Sequence, residues 1–290
     1  METKVKLIKH FSFKLFDWAM VKSMLRFSLP LSLNSACFWF LSSYNRVGIS
    51  NTLGLEANGI YSIAAKFTYV LGLVSNCFSM AWQEMVYSMG NEKENKDKLY
   101  SLASNYYLRF LMFGLVLLVP VVYVAFPILI NPQYQDAFTL VPMYLFATVA
   151  SIYSVFLGDI FGAEKQTGSI FTSTVAAAVV NVSLFHILVG FMGIQAANIS
   201  LLCGFLVNII FRIVLLRKKV KITLNYKMLL GTTALFIVAF VVYLTQGMVA
   251  NIAVFVIFLG IALFSFRDLL QKGLEVVKQK KAELKEKKQK

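Results

Sequence analysis

Charged residues are scarce in this sequence, and acidic ones are the scarcest. Only 14% of the 290 residues are charged, with 14 Asp and Glu against 28 Lys and Arg. Soluble domains carry about 25% charged and about 45–50% apolar residues, whereas 58% of this chain is hydrophobic and its mean hydropathy is +0.70. These values exclude a soluble globular protein. They indicate a polytopic membrane protein, which we expect to be all-α because apolar runs of about 20 residues suit spanning helices.

Residue types that carry catalysis or bind metals are also rare. The three cysteines, Cys37, Cys77 and Cys203, lie singly within apolar runs with no CxxC pair, which excludes a disulfide framework and a zinc site. His10 and His186 have no carboxylate at ligand spacing. No GxxxxGK loop and no nucleophile elbow occurs. We therefore expect neither an enzyme nor a bound cofactor.

Eight apolar runs are long enough to cross the hydrocarbon core of a bilayer. The last two are separated by only a short turn, so two spans joined by a hairpin fit better than one long helix. The eight predicted spans cover residues 27–50, 58–81, 106–130, 137–163, 168–189, 194–216, 228–246 and 249–266.

The basic residues predict the orientation of these spans. All but two of the 28 lysines and arginines lie in or near the two terminal segments and the loops after the second, fourth and sixth spans. Because cytoplasmic segments are enriched in Lys and Arg, both termini are expected in the cytoplasm. The exceptions are Arg46 and Lys66. The net charge of +14 is therefore a topology signal, and no folded basic domain supports nucleic-acid binding.

The segments outside the spans are expected to be simple. Residues 1–26 are charged and amphipathic, which is typical of a cytoplasmic interfacial linker and not of a cleavable signal. Asp17 is predicted to cap the helix that continues into the first span. Residues 217–227 form a basic cytoplasmic loop, and the basic tail 267–290 is expected to be solvated, with lysines near anionic phospholipid.

Polar residues recur at helical spacing in the first two spans. Their periodicity places them on one face of each helix, where they either join helices or line a cavity. The candidate cavity-facing residues are Ser35, Ser42, Arg46, Asn58, Ser62, Lys66 and Tyr69.

Lys66 is the most informative of these candidates. Within the predicted second span it lies about 12 Å from the outer end, at about 1.5 Å per residue. A lysine can snorkel only part of that distance, so a cavity-facing position is favoured over an interfacial one.

Two other features are weaker. Gly158 and Gly162 form a GxxxG packing pair, and Asp159 is expected to lie singly near the cytoplasmic surface.

Several short motifs together resemble the C-terminal half of bacterial polysaccharide flippases, the O-antigen and capsule repeat-unit exporters of the multidrug/oligosaccharidyl-lipid/polysaccharide superfamily. The similarity covers about residues 11–216. The motifs are FSLPL (27–31), NR (45–46), LG (53–54), GIYSIAAK (59–66), AWQE (81–84), NYY (105–107) and EKQT (164–167).

The resemblance implies a six-helix flippase lobe at residues 27–216, followed by an extra, peripheral helix pair at 228–266. It implies translocation of a polyprenyl-pyrophosphate-linked oligosaccharide across the bacterial plasma membrane by alternating access. Lys66 and Arg46 would then offset the desolvation of the pyrophosphate, and neutral polar residues would meet the sugars. Only the second lobe of the family is matched. We therefore expect a fragment, a split gene product, or a half that needs an N-terminal six-helix lobe or a second copy.

Two alternatives remain open at this stage. One is a multidrug or cation exporter lobe of the same superfamily, although such exporters favour carboxylates in this lobe and the deep charge here is positive. The other is a non-transporting membrane scaffold of a glycan-assembly complex. The sequence does not specify the sugar or a coupling ion, H⁺ or Na⁺.

The predicted topology can be tested by labelling single cysteines in a cysteine-free background with a membrane-impermeant reagent. Cysteines near Asn51, Gln133 and Gly193 should react in intact cells. Those near Asn95 and Lys218 should react only after permeabilisation. Labelling at Asn95 in intact cells would contradict the eight-span topology.

Overall fold

The computed structural model describes residues 17–88 and 93–267, and within these ranges the chain is helical without any β-strand. A short 3-10 turn at Pro132–Tyr134 joins the fourth helix to the fifth. The helices are α1 (Trp18–Thr52), α2 (Leu55–Lys66), α3 (Tyr69–Ser88), α4 (Lys93–Leu129), α5 (Ala137–Ala163), α6 (Thr167–Met192), α7 (Gln195–Leu216), α8 (Tyr226–Thr245) and α9 (Met248–Ser265). The predicted all-α, polytopic membrane fold is confirmed.

The number of spans differs from the predicted eight. Helices α4 to α9 are each long and apolar enough to cross a membrane, which makes six. The predicted second span is broken into α2 and α3, which are bent by 50° and pass the same test only as a pair. Helix α1 has 35 residues but is not apolar enough to be counted. The described helices thus support six spans, or seven with the bent pair.

Helix α3 covers the length of the bundle without α2. Phe67, in the break, stacks on Phe126 near the end of α4 with ring centroids 5.5 Å apart. At the other end of α3, Tyr87 lies against Gly162, next to the end of α5. Because a short turn joins α4 to α5, Phe126 and Gly162 mark opposite ends of the bundle. The 20 residues of α3 are about 30 Å long, which matches the hydrocarbon core.

The break between α2 and α3 is stabilised locally. The hydroxyl of Thr68 donates to the carbonyl oxygen of Ala65 at 2.7 Å, and the Thr68 N–H donates to the same oxygen at 3.1 Å. A hydroxyl that bonds to a nearby carbonyl offers the backbone an alternative to the helical ladder. The turn before α2 depends on Gly54, whose φ of 94° favours glycine.

Helix α1 begins where the sequence indicates. The Asp17 side chain accepts a hydrogen bond from the Ala19 N–H at 2.8 Å, which confirms the predicted N-cap. Residues 18–26 of the predicted linker belong to this helix. The rest of the linker, 1–16, and the predicted tail, 268–290, lie outside the described residues.

Buried amides join α1 to α6 and α7. Asn45 is fully buried and donates to the carbonyl oxygen of Ala197 at 2.6 Å, while its own oxygen accepts from Asn181 at 3.0 Å. Next to Asn45 on α1, the Tyr44 hydroxyl lies 2.7 Å from His186 Nε2. Such bonds hold membrane helices together because buried polar groups need partners.

A row of side chains on α4 holds the segment between α7 and α8; we call it the polar clamp. Asp97, Ser101 and Asn105 accept hydrogen bonds from the backbone N–H groups of Lys221, Thr223 and Asn225, at 3.1, 3.1 and 2.7 Å. Four residues of helix rise about 6 Å, close to the rise of about 6.6 Å for two extended residues. Every fourth residue of α4 therefore stays in register with every second residue of the segment 221–225, and α8 is anchored to α4.

Candidate functional site

A cavity of about 420 Å³ lies between α1 and α3, with α5, α6 and α7 behind it; we call it the polar cavity. Its wall is mostly apolar, with a few charged, hydroxyl and amide side chains among the apolar ones. It is lined by Leu31, Asn34, Ser35, Phe38, Trp39, Ser42, Tyr87, Val155, Gly158, Asp159, Ile170 and Arg212.

The guanidinium of Arg212 is buried at the back of the polar cavity. The residue is 2% exposed. Its Nε donates to Ser173 Oγ at 3.1 Å, its Nη2 donates to Thr174 Oγ1 at 3.1 Å, and its Nη1 donates to the carbonyl and hydroxyl oxygens of Ser154. Thr174 in turn donates to Asn34 Oδ1 on α1 at 2.6 Å. One side chain of α7 is thereby linked to α5, α6 and α1.

The GxxxG pair of α5 provides room for side chains of other helices. A Cβ atom on Gly158 would lie 2.9 Å from Arg212 Nη1, closer than real Cβ atoms approach a neighbour. A Cβ atom on Gly162 would clash with the hydroxyl of Tyr87 on α3. The motif was predicted to pack helices, and it does so by accommodating these two polar groups.

Asp159 supplies a carboxylate to the same cavity. It is 9% exposed, and its Oδ1 accepts a hydrogen bond from Gln83 Nε2 at 3.0 Å. Its Oδ2 is buried and has no hydrogen-bond partner among the described residues. No nitrogen of Arg212 lies within 4.0 Å of the carboxylate oxygens. The polar cavity therefore contains Arg212, whose guanidinium is hydrogen-bonded to neighbouring helices, and Asp159, one of whose carboxylate oxygens has no hydrogen bond to the described residues.

The sequence did not indicate the burial of these two charges. Its pattern groups Arg212 with the cytoplasmic basic residues and places Asp159 near the cytoplasmic surface, because each lies only four residues from the end of its helix. Neighbouring helices bury both side chains. A signal was present, since the run 205–216 is apolar apart from Asn208 and Arg212. The rule that singled out Lys66, a lone charge in an apolar run, applied equally to Arg212.

Two of the seven predicted site residues line the polar cavity. The Ser35 hydroxyl donates to the carbonyl oxygen of Leu31 at 3.1 Å, and the Ser42 hydroxyl donates to that of Trp39 at 3.0 Å. Both hydroxyls lie on α1 and keep a lone pair free to accept a further hydrogen bond.

The other five predicted residues lie outside this cavity. Lys66 is the last residue of α2, its side chain is exposed, and its neighbour Phe67 stacks near the end of α4. A position near this end of the bundle is one from which a lysine side chain can reach an interface. Tyr69 is exposed across the break, so the predicted stripe is interrupted. Arg46 is exposed, and Asn58 and Ser62 are half-buried.

The tight fit around Arg212 yields a stability prediction. Replacing Gly158 with Ala should displace the guanidinium and weaken its hydrogen bonds, at a cost of about 1–3 kcal/mol. Thermal unfolding of the purified protein in detergent should therefore start at a lower temperature. Gly168→Ala is the matched control, because a Cβ there meets no atom within 4 Å. Equal melting of the two variants would show that Arg212 is not held tightly.

Comparison with protein-family models gives no match, and comparison with curated protein sequences gives none either. The fold is similar to that of the solved structure of lipid II flippase MurJ in an inward closed conformation, with a TM-score of 0.63 and 16% sequence identity. The alignment covers 91% of this chain and 58% of that protein. The chain therefore spans little more than half the length of the flippase that it resembles in fold.

Proposed function

We propose that this chain is one lobe of a flippase that moves a lipid-linked oligosaccharide across the bacterial plasma membrane by alternating access. The observation that carries the proposal is the fold, which matches 58% of a lipid II flippase. The polar cavity supports it, because a membrane protein without a polar cargo has little use for buried charges beside an opening. On this proposal residues 27–216 form the lobe and 228–266 form the extra helix pair.

The proposed substrate is a polyprenyl-pyrophosphate-linked oligosaccharide, such as an O-antigen repeat unit. Hydroxyl and amide groups on α1 suit sugar hydroxyls, which need donors and acceptors but no net charge. The pyrophosphate needs cations instead, and the exposed Lys66 and Arg46, which do not line the polar cavity, are the candidates. The glycan and the pyrophosphate would thus use different parts of the lobe.

We propose that the mouth of the polar cavity, between α1 and α3, is closed by a further N-terminal six-helix lobe or by a second copy of this chain. The side chains that flank the mouth include Trp39 and Tyr87, which are 68% and 54% exposed. Large aromatic side chains suit contacts that are apolar on one side and polar on the other.

A multidrug or cation exporter lobe is the second candidate, and Asp159 favours it. The sequence leaves this alternative open, with the positive charge of Lys66 as the objection to it. The buried carboxylate with a free oxygen removes that objection, since a carboxylate oxygen suits a cationic cargo or a coupling ion, H⁺ or Na⁺. The scaffold alternative predicts instead that neither charge affects transport.

The lobe proposal predicts dependence on a partner. Expressed alone in a flippase-deficient cell, the chain should insert but fail to restore surface polysaccharide. Co-expression with an N-terminal lobe of the same flippase type should restore it. Full restoration by the chain alone would exclude the need for another lobe and point to a self-associated assembly.

Substitutions of the charged residues separate the three candidate functions. If Lys66 contacts pyrophosphate, Lys66→Arg should keep partial export, and Lys66→Met should lower it about tenfold, because charge-assisted hydrogen bonds are strong. The exposed Lys22→Met on α1 is the control and should export normally. Export is measured in the complemented strain and normalised to membrane abundance.

Asp159→Asn is tested in the same strain together with uptake of cationic dyes. Normal glycan export with loss of dye efflux would favour the exporter. Normal export from every variant would favour the scaffold, and normal export from Lys66→Met alone would assign Lys66 to the interface.

A further inference from the structure

A second opening, apolar along most of its length, lies on another side of α7. This α7–α8 cleft has a volume of about 600 Å³. Its floor is formed by Val149, Ala150 and Tyr153 of α5, which are at most 5% exposed. Its walls include Leu206 of α7 and Leu230 of α8. The cleft therefore reaches from the lipid-facing surface down to the core of the bundle.

The polar groups of the cleft gather at one end. Arg217 Nη2 donates to the Tyr226 hydroxyl at 2.7 Å, and both side chains are exposed. In the described part of the chain, no carboxylate oxygen lies within 4.0 Å of the Arg217 guanidinium. Further exposed cations follow on the same connection: Lys218, Lys219, Lys221 and Lys227. This end of the cleft is suited to an anion.

The dimensions fit one leaflet of a bilayer. Along α7, the cleft extends from Arg217 to Leu206, which corresponds to about 16 Å at about 1.5 Å per residue. The hydrocarbon core is about 30 Å thick, so half of it is about 15 Å. An acyl chain that starts at the membrane surface beside Arg217 would fill the cleft to the bilayer centre.

We infer that the α7–α8 cleft binds an anionic phospholipid, with one acyl chain along α7 and the phosphate on the guanidinium of Arg217. Charge and shape both support this occupant, because a basic end follows an apolar slot of one-leaflet length. Arg217 offers N–H donors in a planar fork that suits phosphate oxygens. In the predicted orientation the lipid belongs to the cytoplasmic leaflet.

The lipid differs from the proposed transport substrate in its position. Arg212 faces the polar cavity, whereas Ile209 and Ile213 of the same helix line the cleft. The two openings thus lie on different faces of α7, and a lipid in the cleft does not occupy the polar cavity. It would instead fill the space between α7 and α8.

The test uses the purified full chain, stripped of lipid in detergent, and phosphatidylglycerol as the probe, with binding measured by native mass spectrometry. Arg217→Ala should weaken binding about tenfold, since it removes hydrogen bonds to a charged group. Lys218→Ala, which removes a neighbouring cation outside the cleft, should bind within twofold of the unmodified protein. Circular dichroism and gel filtration confirm that each variant is folded.

A second pair of variants tests the apolar slot. Ile210→Trp, in the cleft wall, should lower phosphatidylglycerol binding several-fold, whereas Ile237→Trp, on an exposed part of α8 outside the cleft, should not.

Unchanged binding by both Arg217→Ala and Ile210→Trp would overturn the proposal. If inorganic phosphate bound as tightly as phosphatidylglycerol in the same measurement, the cleft would be a simple anion site instead. Tighter binding of a polyprenyl phosphate would assign the cleft to the transported lipid.

Discussion

The buried guanidinium of Arg212 is the interaction on which the shape of the polar cavity depends. A hydrogen bond to a charged group contributes about 1.5–3 kcal/mol, and here the partners belong to different helices. Ser154 on α5 and Ser173 and Thr174 on α6 accept from it, and Thr174 passes the link to α1. Gly158 leaves the space that the guanidinium occupies. The back wall of the cavity is consequently held by four helices, α1, α5, α6 and α7.

Asp159 is the complementary case, because its hydrogen bonding is incomplete. A buried oxygen with no partner among the described residues lacks the hydrogen bond that it would make in water, so it can accept one more. A sugar hydroxyl or a cation would each satisfy it. The two proposed cargoes would therefore use the same atom, while Lys66 and Arg46 lie outside the cavity.

Most of the fold could be predicted from hydrophobic runs, since the fifth helix, Ala137–Ala163, has the predicted boundaries. The break at 67–68 could not, because no glycine or proline marks it and the polar spacing continues through it. That continuity also underlies the predicted depth of Lys66, which lies at the break as the last residue of α2. Of the site, Ser35 and Ser42 followed from periodicity. The roles of Arg212 and Asp159 depend on burial by other helices, which distance from a helix end does not measure.

The polar clamp has a consequence for the order in which the protein is assembled. Asp97, Ser101 and Asn105 leave the ribosome about 120 residues before the backbone that they bind. In the meantime water at the membrane surface must satisfy them, which suits side chains at the polar end of α4. The segment before α8 can therefore dock onto α4 only once α4 is in place. Docking of α8 would then be a late step of assembly. A nascent chain that stops after α7 would leave Asp97, Ser101 and Asn105 without these partners.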